Sequence, residues 1–330
     1  MLTTSRTPLR VSFFGGGTDY PAYFARRPGA VIGMAIDRYI YISALKLADI
    51  IDYRYRVTYS KLERAHAHSQ IEHPVVRAVL GHYGVDDALD ISIQSDLPAS
   101  SGLGSSSAFT VGLVNLVGAF KNKSMTRLDL SRAAIHVEQE LLKENVGVQD
   151  QLHAAFGGMN RFDFMDGRIR ITPIQMSAVC QDYLLSSLVL VYTGKTRSAS
   201  QVVAEQVAAT REQKVDKELD HLLALVSQAV DVLEGDEPDS MLKEFGAMMH
   251  EGWQTKRKLS SGVSTPEIDA LYDGALTAGA LGGKLCGAGG GGFLLMVVPP
   301  HAREKFNGAM SGHNLIPIGM DRQGSVILRG

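Results

Sequence analysis

The residues best suited to chemistry lie in Pro98-Ala-Ser-Ser-Gly-Leu-Gly-Ser-Ser-Ser-Ala108. An alternating, strand-like run over 89–94 leads in, and an apolar helical run from Ala108 to Phe120 leads out. Glycines let an anion approach the backbone, successive N–H groups point inward, and the helix N-terminus adds partial positive charge. The expected ligand is a phosphate, in the first instance that of a nucleotide. No Gly-Lys-Ser/Thr closes the loop, so it is not a Walker A loop. Its candidate nucleotide-binding residues are Pro98, Ser101, Gly102, Leu103, Gly104, Ser105, Ser106 and Ser107.

Three other segments carry reactive side chains. Arg10-Val-Ser-Phe-Phe-Gly-Gly-Gly-Thr-Asp19 reads as a strand ending in Gly15, Gly16 and Gly17, which then presents Thr18 and Asp19. An aspartate there can accept hydrogen bonds from two vicinal hydroxyls, as sugar sites often require; the same pattern also suits a tight turn capped by Asp19. Glu138 and Asp150 stand twelve residues apart, one in a helix and one beyond the break at Gly147. Only tertiary packing could bring both to one site, and Glu138 alone also reads as a solvated helical charge. Lastly, Gly287, Gly289 and Gly292 fit G-x-G-x-x-G, with Gly290 between them. A helical run precedes this stretch and a strand follows, the reverse of the dinucleotide-binding order. That excludes the Rossmann reading and the dehydrogenase it would imply.

Ordinary secondary structure must position these groups. Strands are expected at Leu9–Phe14, Tyr39–Leu47, Arg54–Tyr59 and 89–94, with a hairpin over Asn160–Ile174. Helices are expected at Pro74–His82 and from a Thr126/Asp129 capping box to about Lys143. Beyond Pro173 the pattern gives a strand over Leu184–Tyr192, a helical stretch over Ala199–Leu233 with room for an interruption, and a helix over Pro238–Leu259. A helix opening at Thr265-Pro266 and strands over Gly292–Val298 and Leu315–Met320 follow. Mixed elements in both halves predict an α+β protein of two domains, 1–180 and 181–330.

Composition narrows the function class. The chain has 330 residues, 45% of them hydrophobic and 21% charged, with a net charge of −2. That balance gives no support to a nucleic-acid partner. No apolar run approaches the roughly 20 residues needed to span a bilayer. Arg6, Pro8 and Arg10 interrupt any secretory signal in the first residues. Cys180 and Cys286 form no CxxC pair, and reduced thiols in a cytoplasmic protein are the simplest reading. His66 and His68 make the only close histidine pair, in a polar setting that favours a surface loop over a metal site.

The four segments, in this order, resemble those of the GHMP kinases, the superfamily of galactokinase, homoserine kinase, mevalonate kinase and phosphomevalonate kinase. Arg10–Asp19 is similar to the first family motif, with Gly-Gly-Gly-Thr-Asp in place of Gly-Glu-His-Thr-Asp. Pro98–Ala108 is similar to the second and Gly283–Phe293 to the third. The resemblance implies an N-terminal domain like ribosomal protein S5 domain 2 and a ferredoxin-like C-terminal domain, with ATP and substrate between them. It implies that Ser106 and Glu138 hold Mg²⁺, and that Gly289 and Gly290 close over the nucleotide. It also implies that Asp150 orients or deprotonates the acceptor hydroxyl beside Arg10. Gly17, Thr18 and Asp19 would bind sugar hydroxyls.

Within the superfamily, Pro8–Asp19, Glu72–Arg77, Val146–Gly157 and Tyr192–Arg197 look like the bacterial heptose kinases. Those enzymes phosphorylate the anomeric hydroxyl of D-glycero-D-manno-heptose 7-phosphate; fucose kinases carry similar Gly-Gly-Gly-Thr-Asp strings. The 7-phosphate needs a cationic clamp, for which Lys195 and Arg197, with Lys284 behind them, are the candidates; ordinary surface charge is the alternative. The expected partners are ATP and a phosphorylated sugar, with a homodimer left open and neither nucleic acid nor membrane.

Overall fold

The computed structural model describes residues 2–195 and 200–329. Its larger sheet has eight strands: β1 (Leu2–Phe14), β2 (Gly29–Lys46), β3 (Tyr55–Thr58), β4 (Leu62–Ala65), β5 (Leu89–Ser95), β6 (Met159–Met165), β7 (Arg168–Pro173) and β12 (Val326–Arg329). They run in the order β12-β1-β2-β5-β3-β4, and the β6–β7 hairpin joins the far end of β2. Helices α1 (Pro21–Phe24), α2 (Pro74–His82), α3 (Ser105–Phe120), α4 (Arg127–His136) and α5 (Gln149–Phe156) complete this unit. Most of α3 is buried, and it packs across β1 and β2. Gly112 permits that approach, because a Cβ there would stand 2.7 Å from Thr7 Oγ1.

A second sheet holds β8 (Leu188–Tyr192), β9 (Gly282–Leu285), β10 (Phe293–Val297) and β11 (Leu315–Pro317), all antiparallel, in the order β11-β8-β10-β9. Counted from β8 this is 4-1-3-2, the split β-α-β arrangement of ferredoxin-like domains. Helices α6 (Ala178–Ser187), α7 (Ser200–Arg211), α8 (Asp216–Leu233), α9 (Pro238–Lys256), α10 (Pro266–Thr277) and α11 (Arg303–Ala309) belong to this half. The α+β class and the ferredoxin-like second unit therefore match those expected.

Several elements differ from the sequence expectations. The chain does not divide once at 180: Val326–Arg329 returns to pair with Thr3–Arg6 of β1, and Thr7 Oγ1 lies 2.8 Å from Ser325 Oγ. Leu184–Ser187 is the end of α6, which Ser177 caps by accepting from Cys180 N–H, rather than the start of a strand. The helical stretch from 200 to 233 takes the interruption allowed for it, at 212–215 with Gln213 at φ 59°. The helix opened by Thr126 ends in a π-helical turn, Val137–Leu141, in which Leu142 N–H reaches Val137 O at 2.9 Å. Helix α9 joins the halves: Phe245 stands edge-on to Phe13 and Phe14, at 5.2 and 5.5 Å between ring centres.

Candidate active site

Strand β1 delivers Arg10. The β1–β2 register shifts between Pro8 and Arg10, and Arg10 N–H donates to Leu103 O at 3.0 Å. Irregularities of this kind re-aim side chains beside functional sites. The guanidinium then holds three acceptors. Nε reaches Asp150 Oδ1 at 2.8 Å, Nη2 reaches Asp150 Oδ2 at 2.7 Å, and Nη1 reaches Gly102 O at 2.7 Å. One side chain thus ties the first motif, the glycine loop and the first turn of α5 together. Burial would lower the Arg10 pKa, but the charge and hydrogen bonds of Asp150 outweigh it and raise it. Asp150 keeps one quarter of its side chain exposed, on the wall of a cleft of about 280 Å³.

The glycine loop forms the facing wall. Gly104 sits at φ 74° and no side chain caps α3, so its first N–H groups open toward the cleft beside Ser105 and Ser106. Gly102 and Gly104 also line the cleft. Leu103 and Ser101 are fully buried beneath it, Ser107 is buried, and Pro98 is exposed outside it. These four, expected among the nucleotide contacts, therefore shape the loop from behind or from outside. The third motif packs on it backbone to backbone. A Cβ on Gly102 would strike Cys286 O, one on Gly287 would stand 2.5 Å from Gly102 Cα, and one on Gly292 would strike Ser101 O. Gly289 lines the cleft; Gly290 lies behind it, its N–H donating to Val263 O at 3.1 Å.

Gly16, Gly17, Asp19 and Tyr20 line the remaining side. Asp19 is 1% exposed and accepts from Gly17 N–H at 3.0 Å. Burial pushes its carboxyl pKa up, against that hydrogen bond. Val148 N–H donates to Asp19 O at 3.1 Å, and Gly147 lies against the carboxylate with no room for a Cβ. Thr18, an expected substrate contact, is instead fully buried, with Oγ1 2.8 Å from Gly15 O and 2.9 Å from Ala30 O. It holds the turn.

Glu138 departs furthest from expectation. It lies in the π turn, fully buried, and is not on the cleft wall. Its carboxylate accepts from Ser107 Oγ at 2.9 Å, Thr110 Oγ1 at 2.8 Å and Gln151 Nε2. Ser106, its expected partner on Mg²⁺, faces the cleft instead. Among the described residues no three His, Cys, Asp or Glu side chains are grouped to hold a metal. As arranged, the pair does not form a Mg²⁺ site: three donors hold the buried Glu138 carboxylate off the cleft wall, whereas Ser106 lines the cleft.

Burial raises the Glu138 pKa to about 7, against those donors. A raised carboxyl contributes stability below its unfolded pKa that is lost as pH rises through the folded one. Wild type is therefore expected to lose up to about 3 kcal/mol from this group between pH 4.5 and 7.5. Glu138→Gln should flatten that fall; parallel thermal-melting profiles for the two proteins would refute it.

Lys195, a candidate phosphate clamp, is exposed and lies 3.5 Å from Glu267, off the cleft wall. Arg197 lies outside the described residues. Two lysines do line the cleft. Lys256 ends α9 and donates to Leu285 O at 3.2 Å and to Gly287 O; Lys284, in β9, donates to Phe13 O at 3.0 Å. No motif marks Lys256, since its surroundings exist only once α9 meets the third glycine cluster. Lys284 is visible inside that cluster, but sequence alone places it only behind Lys195 and Arg197.

Two family models match the chain: "GHMP kinases N terminal domain" over residues 60–158 and "GHMP kinases C terminal" over 239–312. A D-glycero-alpha-D-manno-heptose 7-phosphate kinase of Campylobacter jejuni is 28% identical over 92% of this chain and 91% of its own length. The bifunctional fucokinase/GDP-fucose pyrophosphorylase of Arabidopsis thaliana is 26% identical over 92% of this chain but 30% of that protein. Among solved structures, a D-glycero-D-manno-heptose 1-phosphate kinase from Bacteroides thetaiotaomicron superimposes with a TM-score of 0.80. It is 24% identical and covered over 99% of both chains, a likeness of fold.

Proposed function

Because the chain belongs to the GHMP kinases, we propose that it transfers the γ-phosphoryl group of ATP to the anomeric hydroxyl of D-glycero-D-manno-heptose 7-phosphate. The products are the 1,7-bisphosphate and ADP. The observation that carries the reading is the two-pronged Arg10–Asp150 pair, set between an uncapped helix N-terminus and the Asp19 turn. The heptose acceptor is taken from the similarity to the Campylobacter kinase. No helix among the described residues is long and apolar enough to cross a membrane. A cytoplasmic site of action, where ATP is made, follows from the same reading.

Phosphoryl transfer asks a protein mainly for positioning and charge stabilisation. The α3 N-terminus and the N–H groups of the loop hold the triphosphate. Asp19 and the Gly16–Gly17 backbone orient the sugar. Asp150 accepts the proton of the 1-hydroxyl as its oxygen bonds to the γ-phosphorus and the bond to the β-phosphate oxygen breaks. Arg10 fixes the Asp150 carboxylate and offsets charge on the transferring group. Mg²⁺ is expected with the nucleotide, and Ser106, beside Ser105, is a cleft-facing hydroxyl that would be available to it; no step here depends on it.

The similarity to the plant fucokinase supports a second reading, a kinase of an unphosphorylated sugar. Product analysis by ³¹P NMR separates the two. Heptose 7-phosphate with ATP should give a new anomeric phosphate signal, while fucose and free heptose should give little. A product from fucose alone would replace the first reading with the second.

A further inference from the structure

We propose that Lys256 and Lys284 together clamp the acceptor's own phosphate, the one that is not transferred. This deepens the sugar-phosphate kinase reading and rests on it. Both side chains lie on the cleft wall yet are only 9% and 8% exposed. Carbonyl oxygens fix the two ammonium groups: Leu285 and Gly287 for Lys256, Phe13 for Lys284. An ammonium has three donors, so one remains on Lys256 and two on Lys284. Among the described residues neither lysine forms an ion pair.

Carbonyls orient a cation without neutralising it, and a buried unpaired cation is costly. The cost appears as lowered pKa values. Burial, then the charge of Lys284, brings Lys256 to about 7; burial brings Lys284 to about 8. The other ionisable groups acting on them are Arg10, Asp19 and Cys286. Asp19 is engaged with Gly17 N–H, and burial raises the Cys286 thiol pKa. A phosphate dianion is the chemistry that completes this wall. We assign it to the acceptor and not to ATP, because the proposed reading already gives the triphosphate the α3 N-terminus. Asp19, on the sugar side, acts on both lysines, as does Arg10. Lys284 is also tied to Phe13, three residues before Gly16.

The test is direct binding, measured by calorimetry without ATP, of heptose 7-phosphate and of free heptose. Lys256→Met and Lys284→Met keep most of the apolar stem, and losing a buried charge offsets the lost bonds to the carbonyls, so both variants should remain folded, as thermal melting will check. Each should bind heptose 7-phosphate at least about tenfold more weakly, the range of a charged hydrogen bond. Affinity for free heptose and for a non-hydrolysable ATP analogue should change less than about twofold, and Lys284→Arg should restore part of the loss. Wild type at pH 8 should take up protons on binding, seen as heat that depends on the buffer, and the variants should take up fewer.

Equal losses on both sugars, or a loss confined to the ATP analogue, would overturn the clamp. Equal affinity of wild type for both sugars would overturn it too, while leaving a sugar kinase standing. Absence of any newly formed sugar phosphate in the product assay would instead remove the kinase reading, and the binding comparison would still decide the lysines' role.

Discussion

Asp150→Asn is expected to lower kcat at least about 100-fold, the contribution of a positioned general base. The asparagine keeps the side chain's size but replaces one carboxylate oxygen by an NH₂ group. That group either faces the reacting hydroxyl, where it cannot take the proton, or faces Arg10 Nε or Nη2, donor against donor. The third Arg10 bond, to Gly102 O, does not involve Asp150, so the nucleotide loop keeps its anchor and ATP affinity should stay within a few-fold. Single-turnover kinetics with a separate ATP titration distinguish the two quantities. Near-normal turnover would take Asp150 out of the chemistry. Arg10→Lys supplies the contrast: the charge remains but the fork does not, so both turnover and ATP binding should fall.

What the sequence reveals and what it conceals divide along a physical line. The loop at 98–108 is legible because a phosphate cradle is made by consecutive backbone groups at the junction of a strand and a helix, and the junction is written locally. Helix α2 begins at Pro74 and ends at His82, as expected, because proline sets its first turn. Strand β9 is not legible. Gly282 and Gly283 have no strand propensity, and they pair because Gly283 lies against Leu295 O and the Met296 side chain, where a larger residue would not fit. The first half of β1 is hidden as well. Its threonines and serines are buried under α3 or paired across to Ser43 and Ser325, in place of the apolar alternation that marks a strand.

The site divides in the same way. The family resemblance puts Arg10 and Asp150 together, and the structure places them in contact. The same reasoning puts Glu138 beside Ser106, yet the π turn and the fold of α3 give its carboxylate to Ser107 and Thr110. One residue along a helix is a rotation of about 100°, enough to turn a cleft-facing hydroxyl into a buried one. The exposed 195–197 loop suggests itself as a cation clamp because charge in a loop is visible in sequence. Lys256 and Lys284 acquire their meaning from burial, which sequence does not record.

The second large effect is expected from Gly287→Ala. Gly287 sits at φ 70°, and a Cβ there would stand 2.5 Å from Gly102 Cα, a backbone atom that cannot rotate away. The third motif would have to lift off the nucleotide loop, taking with it the Gly287 carbonyl that holds Lys256. Left-handed strain alone costs about 1–3 kcal/mol and says nothing about ATP. Gly167, at φ 71° in the β6–β7 turn, isolates that term, because a Cβ there would meet nothing within 4 Å. Both alanine variants should therefore lose some thermal stability. Only Gly287→Ala should also raise the KM for ATP, by at least about tenfold, equivalent to ~1.4 kcal/mol of lost binding. If the two variants bind ATP equally well, the cradle does not depend on the backbone contact between the second and third glycine clusters, and the nucleotide must be held by the α3 N-terminus without them.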